Sequence, residues 1–527
     1  MLKGKIQPNV KKKNFMVFIL FLIIIFSTNA TAINFNLQGN DNWKKIDIII
    51  CTAIGEHWYI KMLNDGIGGA FIVWQDNRNG DWDIYLQRIS SSGIPLWADN
   101  GLVICNTSKD QSHPEICSDG EGGVFVTWYD FIVGPDYGPI YVQKVNTNGE
   151  IMWNHNGIAI SDEAIYAMQP IICNDGEGGA FVVWRQGGSG IYNLYSQRIN
   201  STGHVQWNEN GIIITNNTVG YTTDQQIIYD NNGGSIIVWE DDRTGRSKIY
   251  AQRFNSSGSL QWAEDGVLVC NARKGQYTPE ICGDGEGGVI ITWIDTRDDL
   301  IDDIWLKGDV YAQLVDSNGN LQWGENGTVI CSEIHEQVYP QIVSDKAGGA
   351  IIFWEDNRTG INWDIYAQKV SSTGAVQWRY NGALICDANN KGDLYSQLYI
   401  KACSNDAGGA FIAWRDYRNG IDWDIYVQLI SAGGIEQWED NGRAICTESN
   451  DQSSVAVCSD GFGNAFISWG DKRNDPNGDI YAAKIYIEYV GPLISSYNLI
   501  IIIGLCFSII IIIWKKREKL FRFFHDG

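Results

Sequence analysis

Six aromatic residues of the sequence lie near aspartate or asparagine residues, in segments between apolar runs. An aromatic ring can stack on the apolar face of a sugar, while a carboxylate or amide beside it bonds the sugar's hydroxyl groups. The same side chains suit recognition of a peptide. We therefore predict a ligand-binding surface made by Trp82, Trp305, Trp363, Tyr395, Tyr399 and Trp423. The alternative is that these rings only cover the ends of strands.

No arrangement of residues in the sequence is typical of a catalytic or metal site. The six histidines share no position in the repeat described below and form no cluster. Cys-x-x-Cys is absent, which disfavours zinc, and Arg78 interrupts the acidic segment 76–83, which lacks the alternating oxygen ligands of a calcium loop. We therefore predict that the protein is not an enzyme and has no cofactor and no bound metal.

A second polar pattern, Asp-x-Arg, follows a tryptophan at six places in the chain. A residue that recurs in most copies of a repeat usually has a structural role. We predict that Asp76 caps a turn and that Arg78 pairs with a nearby carboxylate such as Asp83. The alternative is that these arginines recognise anionic groups or sugars.

The elements that must position these side chains form a repeat of 54 to 61 residues. Each copy contains a glycine-led apolar run ending in tryptophan and a second run with a tyrosine. A turn then precedes another tryptophan in all copies but the last, and glycine turns of this kind permit the positive φ of tight hairpins. The pattern predicts four strands per copy, a to d, such as residues 116–119, 69–74, 83–89 and 94–105. The tryptophan that ends the first run occurs at Trp74, Trp128, Trp184, Trp239, Trp293, Trp354, Trp414 and Trp469.

The last copy lacks its second tryptophan, and the start of the chain supplies one. Trp43 stands eight residues before Cys51, as Trp97 stands eight residues before Cys105. A four-stranded unit divided between the two ends of the array is typical of a β-propeller, which closes its ring by pairing those ends. We predict an all-β, eight-bladed propeller over about residues 36–489, with Trp43, Trp97 and their equivalents packed between blades.

Two connections are longer than their counterparts in other blades. Residues 295–309 include Trp305, and residues 387–400 include Tyr395 and Tyr399. In a propeller the b–c and d–a connections share one face, so the six aromatic residues are predicted to gather on one arc of that face. Loops held by a rigid scaffold are a common place for binding.

The segment YAQRFNSSGSLQW, residues 250–262, resembles the tryptophan-docking repeat of quinoprotein-like propellers. The whole repeat also resembles one found in uncharacterised secreted bacterial and archaeal proteins. The resemblance implies an eight-bladed architecture. It does not extend to the quinone-dependent dehydrogenases, because it implies for them an adjacent Cys-Cys pair and large ligand-bearing insertions that this chain lacks.

The cysteines of the repeat occupy two positions, six on strand d and five on strand a. An oxidising compartment would permit disulfides such as one between Cys105 and Cys117. The two positions are both cysteine no more often than independent placement gives, and strands d and a lie at opposite edges of a blade. We predict buried free cysteines and keep disulfides as the alternative.

The chain has a net charge of −23, although residues 1–32 carry +5 and residues 515–527 carry +3, so residues 33–514 carry −31. Such an acidic domain is unsuited to nucleic-acid binding. Residues 1–32 are typical of a signal peptide, and an apolar stretch within residues 490–514 is long enough for a stalk and a transmembrane helix. The basic residues of 515–527 predict a cytoplasmic tail, which leaves a propeller domain at 33–489 outside the cytoplasm.

These features predict a single-pass cell-membrane protein whose propeller binds a glycan or a protein at the cell surface, as in adhesion. The alternatives are an extracytoplasmic glycan-processing enzyme and a scaffold for envelope protein assembly. Buried carboxylates that converge in the central channel would favour the enzyme. A shallow aromatic face without them would favour binding.

Overall fold

The computed structural model describes residues 43–131, 138–162, 166–188, 190–298, 308–388 and 397–487. The predicted signal peptide, stalk, transmembrane helix and tail lie outside these residues, as do Trp305 and Tyr395. Among the described residues, no helix has the length and hydropathy needed to cross a membrane. The predicted eight-bladed, all-β propeller is confirmed, with eight sheets of four antiparallel strands each.

Seven blades follow one another along the chain, and each uses four consecutive strands in the order a, b, c, d. The a strands are β2 (His57–Asn64), β6 (Gln111–Ser118), β10 (Ala167–Asn174), β14 (Thr222–Tyr229), β18 (Gln276–Gly283), β22 (Gln337–Ser344), β26 (Gln397–Ser404) and, in blade eight, β30 (Gln452–Ser459). The b strands are β3 (Ala70–Asp76), β7 (Val124–Asp130), β11 (Ala180–Gly188), β15 (Gly234–Asp241), β19 (Val289–Asp295), β23 (Ala350–Asp356), β27 (Ala410–Asp416) and β31 (Ala465–Asp471).

The outer half of each blade consists of a full-length c strand and a d strand, which is short in blades one to seven and nine residues long in blade eight. The c strands are β4 (Asp83–Ile89), β8 (Ile140–Val145), β12 (Ile191–Ile199), β16 (Lys248–Asn255), β20 (Asp309–Val315), β24 (Asp364–Val370), β28 (Asp424–Ile430) and β32 (Asp479–Ile487). The d strands are β5 (Leu102–Cys105), β9 (Ile158–Ala159), β13 (Ile212–Ile213), β17 (Val267–Leu268), β21 (Thr328–Cys331), β25 (Ala383–Cys386) and β29 (Arg443–Cys446), and β1 (Trp43–Cys51) serves blade eight.

Strands a and d differ in extent from the sequence prediction. Strand a begins about five residues earlier, whereas strand d begins only at Leu102 in blade one. Trp97 therefore lies in the connection before strand d, where Pro95 makes an isolated bridge to Ile89. The backbone of this connection bonds the side chain of Gln87, whose Oε1 accepts the Trp97 N–H at 3.0 Å.

The ring closes through β1, which pairs antiparallel with β32 from Trp43 opposite Ile487 to Cys51 opposite Ile480. This pairing removes the exposed edges that an open array would have. The sequence predicts that Trp43 is equivalent to Trp97, but the two side chains occupy different positions. Its ring packs edge-on against Trp438 of blade seven, 4.9 Å between centroids. Ile46 and Ile48 instead lie against Gly93 in blade one.

The eight tryptophans of the b strands form the centre of the core. Each is at most 1% exposed and stacks on the tyrosine opposite it in strand c, with centroids 5.8 to 6.4 Å apart. The Asp-x-Arg pattern completes this unit. Asp76 accepts the Trp74 indole N–H at 2.9 Å and the Arg78 backbone N–H at 2.9 Å, and it pairs with the Arg78 guanidinium. The arginine thus pairs with its own motif's aspartate rather than with Asp83.

The second tryptophan of a copy docks on a glycine of the next blade. A Cβ built on Gly149 would lie 2.9 Å from the Trp97 ring, and equivalent contacts join Trp153 to Gly203 and Trp207 to Gly258. All three glycines have positive φ. The absence of a side chain is therefore required here for both conformation and contact.

Gly149→Ala is expected to destabilise the propeller more than Gly120→Ala. Both glycines have positive φ, 82° and 75°, but nothing lies within 4 Å of a Cβ at Gly120. Overpacking against Trp97 should add about 1–3 kcal/mol to the conformational cost that both variants share. Urea unfolding followed by tryptophan fluorescence measures the difference, and equal midpoints for the two variants would refute the docking contact.

The eleven cysteines among the described residues are free, and none is exposed. Cys105 lies on β5 at the outer edge of its blade, whereas Cys117 lies on the innermost strand of the next one. Burial raises the pKa of Cys105 to about 12, which disfavours the reactive thiolate. The cysteines are thus small buried packing residues.

Candidate functional site

The eight a strands form the inner ring of the propeller, and each contacts the a strand of the blades on either side. Every one of them contains a β-bulge at its third residue. That residue has a positive φ of 48° to 57° in all eight blades, although none is glycine. Bulges redirect side chains, and left-handed residues other than glycine cluster at functional sites. These residues are Tyr59, His113, Gln169, Asp224, Thr278, Tyr339, Tyr399 and Ser454.

The bulges of blades four to seven surround a pocket of 510 Å³ at one mouth of the channel. Two of its bulge residues are the tyrosines Tyr339 and Tyr399, which are 61% and 62% exposed. Trp363 from the b–c connection of blade six also lines the pocket. Aromatic rings with this exposure can stack on a sugar ring. The carboxylates that line the same pocket are Asp224, Glu280 and Glu355.

Glu355 is the most buried of these carboxyl groups, with 2% of its surface exposed. It directly follows Trp354 on β23, and its Oε1 accepts the backbone N–H of Tyr399 at 2.6 Å. Burial raises the pKa of Glu355 to about 8, against the lowering effect of the Tyr399 and Ile400 amides. At neutral pH the side chain therefore carries a proton that it can donate.

Asp224 is the carboxylate that reaches furthest into solvent in this group. It is an exposed residue at the bulge of β14 and lines both the main pocket and a second cavity of 310 Å³. Its carboxyl hydrogen-bonds that of Glu240, which directly follows Trp239. Burial raises the pKa of Glu240 to about 7, and the charge of Asp224 adds to that effect. Glu240 therefore retains much of its proton near neutral pH.

Glu280 lies two residues beyond the bulge of β18, within a network of charged residues. Gln341 donates to its Oε1 at 3.3 Å, while Lys61 and Lys401 lower its pKa electrostatically against a larger raising effect of burial. Lys61 also pairs with Glu115. Because Lys61 belongs to blade one and Glu280 to blade five, the network crosses the channel between opposite blades.

The predicted binding residues divide into three groups. Tyr399 and Trp363 meet in the pocket, although Tyr399 lies within β26 rather than in the connection before it. Trp82 lies beside Trp58, 5.0 Å between centroids, and Trp423 lies beside Tyr417. Neither Trp82 nor Trp423 is among the residues that line the pocket. Trp305 and Tyr395 are outside the described residues.

Sequence reasoning missed Asp224, Glu280 and Glu355. Glu280 and its charged neighbours occupy a strand-a position that is apolar in blades three and eight, as Ile171 and Ala456. The variation in charge at this one repeat position is the sequence feature that could have identified Glu280. The bulge itself has no local signature, because tyrosine, histidine, glutamine, aspartate, threonine and serine all adopt it.

Cys51, His57 and Asp76 form a second buried cluster, where β1 and blade one meet. Their ligand atoms lie close enough to hold a metal ion. The Arg78 guanidinium, however, donates to the Cys51 sulfur at 3.1 Å and pairs with Asp76. A cation there would lie against a buried positive charge, so we assign the cluster a structural role.

No family model and no curated protein matches the chain. The resemblance to quinoprotein-like propellers therefore has no support from sequence comparison. Solved structures of similar fold include the polysaccharide lyase Uly1, with 9% identity and a TM-score of 0.42, covering 83% of this chain and 91% of its own. An ulvan lyase bound to an oligosaccharide has 11% identity and a TM-score of 0.41, covering 84% and 96%.

A third structure is an α-L-arabinanase of Penicillium chrysogenum complexed with arabinobiose, with 11% identity and a TM-score of 0.34, covering 63% of this chain and 97% of its own. Our prediction that the protein is not an enzyme is corrected by these structures, because they are enzymes that act on glycans. At such low identity they share a propeller fold with the chain, and they fix neither its reaction nor its substrate.

Proposed function

We propose that the protein is a glycan-processing enzyme that cleaves glycosidic bonds in the channel pocket. The observation that carries this proposal is the convergence of Asp224, Glu280 and Glu355 with exposed aromatic rings in one 510 Å³ pocket. Of these three residues Glu355 is buried, Glu280 is half-buried and Asp224 is exposed. Carboxylates that converge in the channel distinguish such an enzyme from a binding module with a shallow aromatic face.

Glycosidic bond hydrolysis requires one carboxyl group that donates a proton and a second that acts as base or nucleophile. Glu355 is suited to the first role because its pKa is raised to about 8. Asp224 is suited to the second because it is exposed in the same pocket. Tyr339, Tyr399 and Trp363 would hold the sugar rings by stacking.

The proposed location is the outer face of the cell membrane, with the propeller outside the cytoplasm. The signal-like residues 1–32 and the apolar stretch within 490–514 support this location. A glycan at the cell surface would then be the natural substrate and partner.

The test is incubation of the full-length protein with a panel of polysaccharides, followed by a reducing-end assay and absorbance at 235 nm. Hydrolysis is expected to release reducing ends without the absorbance of an unsaturated uronate. Release of product by wild type and by Glu286→Gln, an exposed variant on the opposite face, but not by Asp224→Asn, supports the proposal. No product from any polysaccharide would contradict it.

Cleavage is expected to fall at alkaline pH. Above about pH 8 the Glu355 carboxyl loses the proton that it donates, so the rate should fall about tenfold per pH unit. The measurement is the initial rate between pH 6 and pH 10 under conditions where the protein stays folded. A rate that is constant to pH 10 would exclude Glu355 as the acid.

A further inference from the structure

Two arginines occupy the same repeat position in opposite blades of the ring. Arg185 directly follows Trp184 in blade three, and Arg415 directly follows Trp414 in blade seven. Glu240 and Glu355 hold this position in blades four and six. The position therefore presents an ionisable side chain toward the bulge residues in four blades, a carboxyl group in two of them and a guanidinium in the other two.

Neither arginine has an acidic partner within the described residues. Every other described arginine that is buried or half-buried makes an ion pair, as Arg418 does with Asp416 at 2.5 Å. The Nε atoms of Arg185 and Arg415 are buried and have no hydrogen-bond partner, which is also true of the ion-paired Arg243, Arg418 and Arg473. Burial lowers the pKa of both guanidinium groups and outweighs the opposing charge of Asp224 on Arg185 and of Asp451 on Arg415.

Aromatic rings hold Arg415 in place. Its guanidinium carbon lies 5.1 Å from the centroid of Tyr399 and 4.6 Å from that of Trp423. Asp451 acts on it only at a distance, and the Asp451 carboxylate accepts the Trp423 backbone N–H at 3.2 Å. Cation–π contacts orient a guanidinium without neutralising it.

Arg415 also lies directly beside the proposed active site. It pairs across the sheet with Leu398, and both Leu398 and Tyr399 line the 510 Å³ pocket. Arg185 is placed in the same way beside the second cavity, because it donates at 2.7 Å to Gln169, which lines that cavity. Each guanidinium thus lies beside a cavity, is oriented by neighbouring side chains and makes no ion pair with a carboxylate of the described ranges.

We propose that the substrate is an acidic glycan and that the Arg415 guanidinium binds one of its anionic substituents, with Arg185 as its counterpart across the channel. This inference rests on the proposed function. A planar guanidinium matches a carboxylate or a sulfate ester by paired hydrogen bonds. The anionic substituent supplies the missing counter-charge, which a neutral glycan cannot do.

The test measures binding in the Glu355→Gln background, where the substrate should persist. The probes are polygalacturonate, which carries carboxylates, dextran sulfate, which carries sulfate esters, and neutral dextran. At least one anionic polymer is expected to bind ten times or more tightly than dextran. Adding Arg415→Gln should weaken that binding roughly ten- to a hundredfold, the effect of losing charge-assisted hydrogen bonds. Arg379→Gln, an exposed change on the outer rim, should leave it unchanged.

Arg415→Lys separates loss of charge from loss of the paired hydrogen bonds and should give an intermediate affinity. If Arg415→Gln fails to fold, Arg415→Lys and Arg185→Gln carry the test. The inference is overturned if dextran binds as tightly as both anionic polymers or if no arginine variant changes their binding. Charge-selective binding without cleavage by wild type would overturn the proposed function alone. Cleavage of a neutral glycan that is indifferent to Arg415 would overturn this inference alone.

Discussion

Glu355→Gln is expected to lower glycan cleavage by about a hundred- to ten-thousandfold, the usual contribution of a general acid. The same change should make the folded protein more stable at pH 8. Glutamine has nearly the shape of a protonated glutamate, and its side-chain oxygen can still accept the Tyr399 N–H that Glu355 accepts at 2.6 Å. The variant therefore removes the proton and keeps the bulge of β26.

The stability change follows from the pKa. Glu355 holds its proton more tightly in the folded protein, with a pKa of about 8, than in the unfolded chain, where the value is about 4.3. Its contribution to stability is complete below the unfolded value and is lost as pH rises through the folded value, at up to about 1.4 kcal/mol per pH unit. Glutamine removes this loss, so the gain should appear at pH 8 and be small at pH 4.

Urea unfolding at pH 4, 6 and 8, together with cleavage rates, measures both effects. Glu286→Gln is the matched control, because Glu286 is exposed in the a–b turn of blade five. Unchanged cleavage in Glu355→Gln would show that the residue only supports the Tyr399 bulge. A loss of stability at pH 8 would contradict the raised pKa.

His57→Ala is expected to destabilise the propeller by about 3–5 kcal/mol, the effect of removing one partner from a buried ion pair. His57 Nε2 lies 3.1 Å from Asp76, and Nδ1 lies 2.6 Å from the carbonyl oxygen of Gly478. Both ring nitrogens thus face acceptors, which requires the doubly protonated imidazolium. The residue joins blade one to the b–c connection of blade eight, across the point where the ring closes.

The stabilisation by His57 should decrease above neutral pH, because its pKa is higher in the folded protein than in the unfolded chain. Burial opposes protonation of His57, but bonding to Asp76 and Cys51 outweighs it and raises the pKa to about 10. The stabilisation is fully present below the unfolded value of about 6.5 and is lost as pH rises to 10, at up to about 1.4 kcal/mol per pH unit. His57→Ala should remove most of that slope.

Gln111→Ala provides the control, because Gln111 holds the same strand position in blade two and is also fully buried. Its side-chain amide donates to the Thr107 hydroxyl and to the backbone carbonyl of Lys109, and both acceptors are uncharged. Gln111→Ala should lower the free energy of unfolding by about 1–3 kcal/mol, and this difference from wild type should not change between pH 6.5 and pH 10. Equal slopes in wild type and His57→Ala would contradict the imidazolium assignment.

The repeat was predictable because its signals are local. A tryptophan such as Trp74, a tyrosine such as Tyr85 opposite it, and glycines at positive φ define each blade from a few dozen residues. The long β1 strand was predicted as the closing strand for the same reason. The partner of Trp43 was not, because Trp438 reaches it only through the closed ring.

The candidate site was only partly predictable. Tyr399 and Trp363 stood out as aromatic residues in unusual segments, and both line the pocket. Asp224, Glu280 and Glu355 did not, because each occupies a different position in its copy of the repeat. A carboxylate in one copy of the repeat therefore does not predict that carboxylates of the next two copies lie near it in space.

The amino-acid sequence by itself determined the number of blades, their strand order and the closure of the ring, since strand alternation and turn chemistry are properties of neighbouring residues. Only the tertiary structure decided where chemistry can occur. The bulges of four successive blades meet at one mouth of the channel. This convergence buries Glu355, raises its pKa and leaves Arg415 beside the pocket with no ion pair to another described residue. These effects depend on the low-dielectric surroundings that packing creates, which no single copy of the repeat contains.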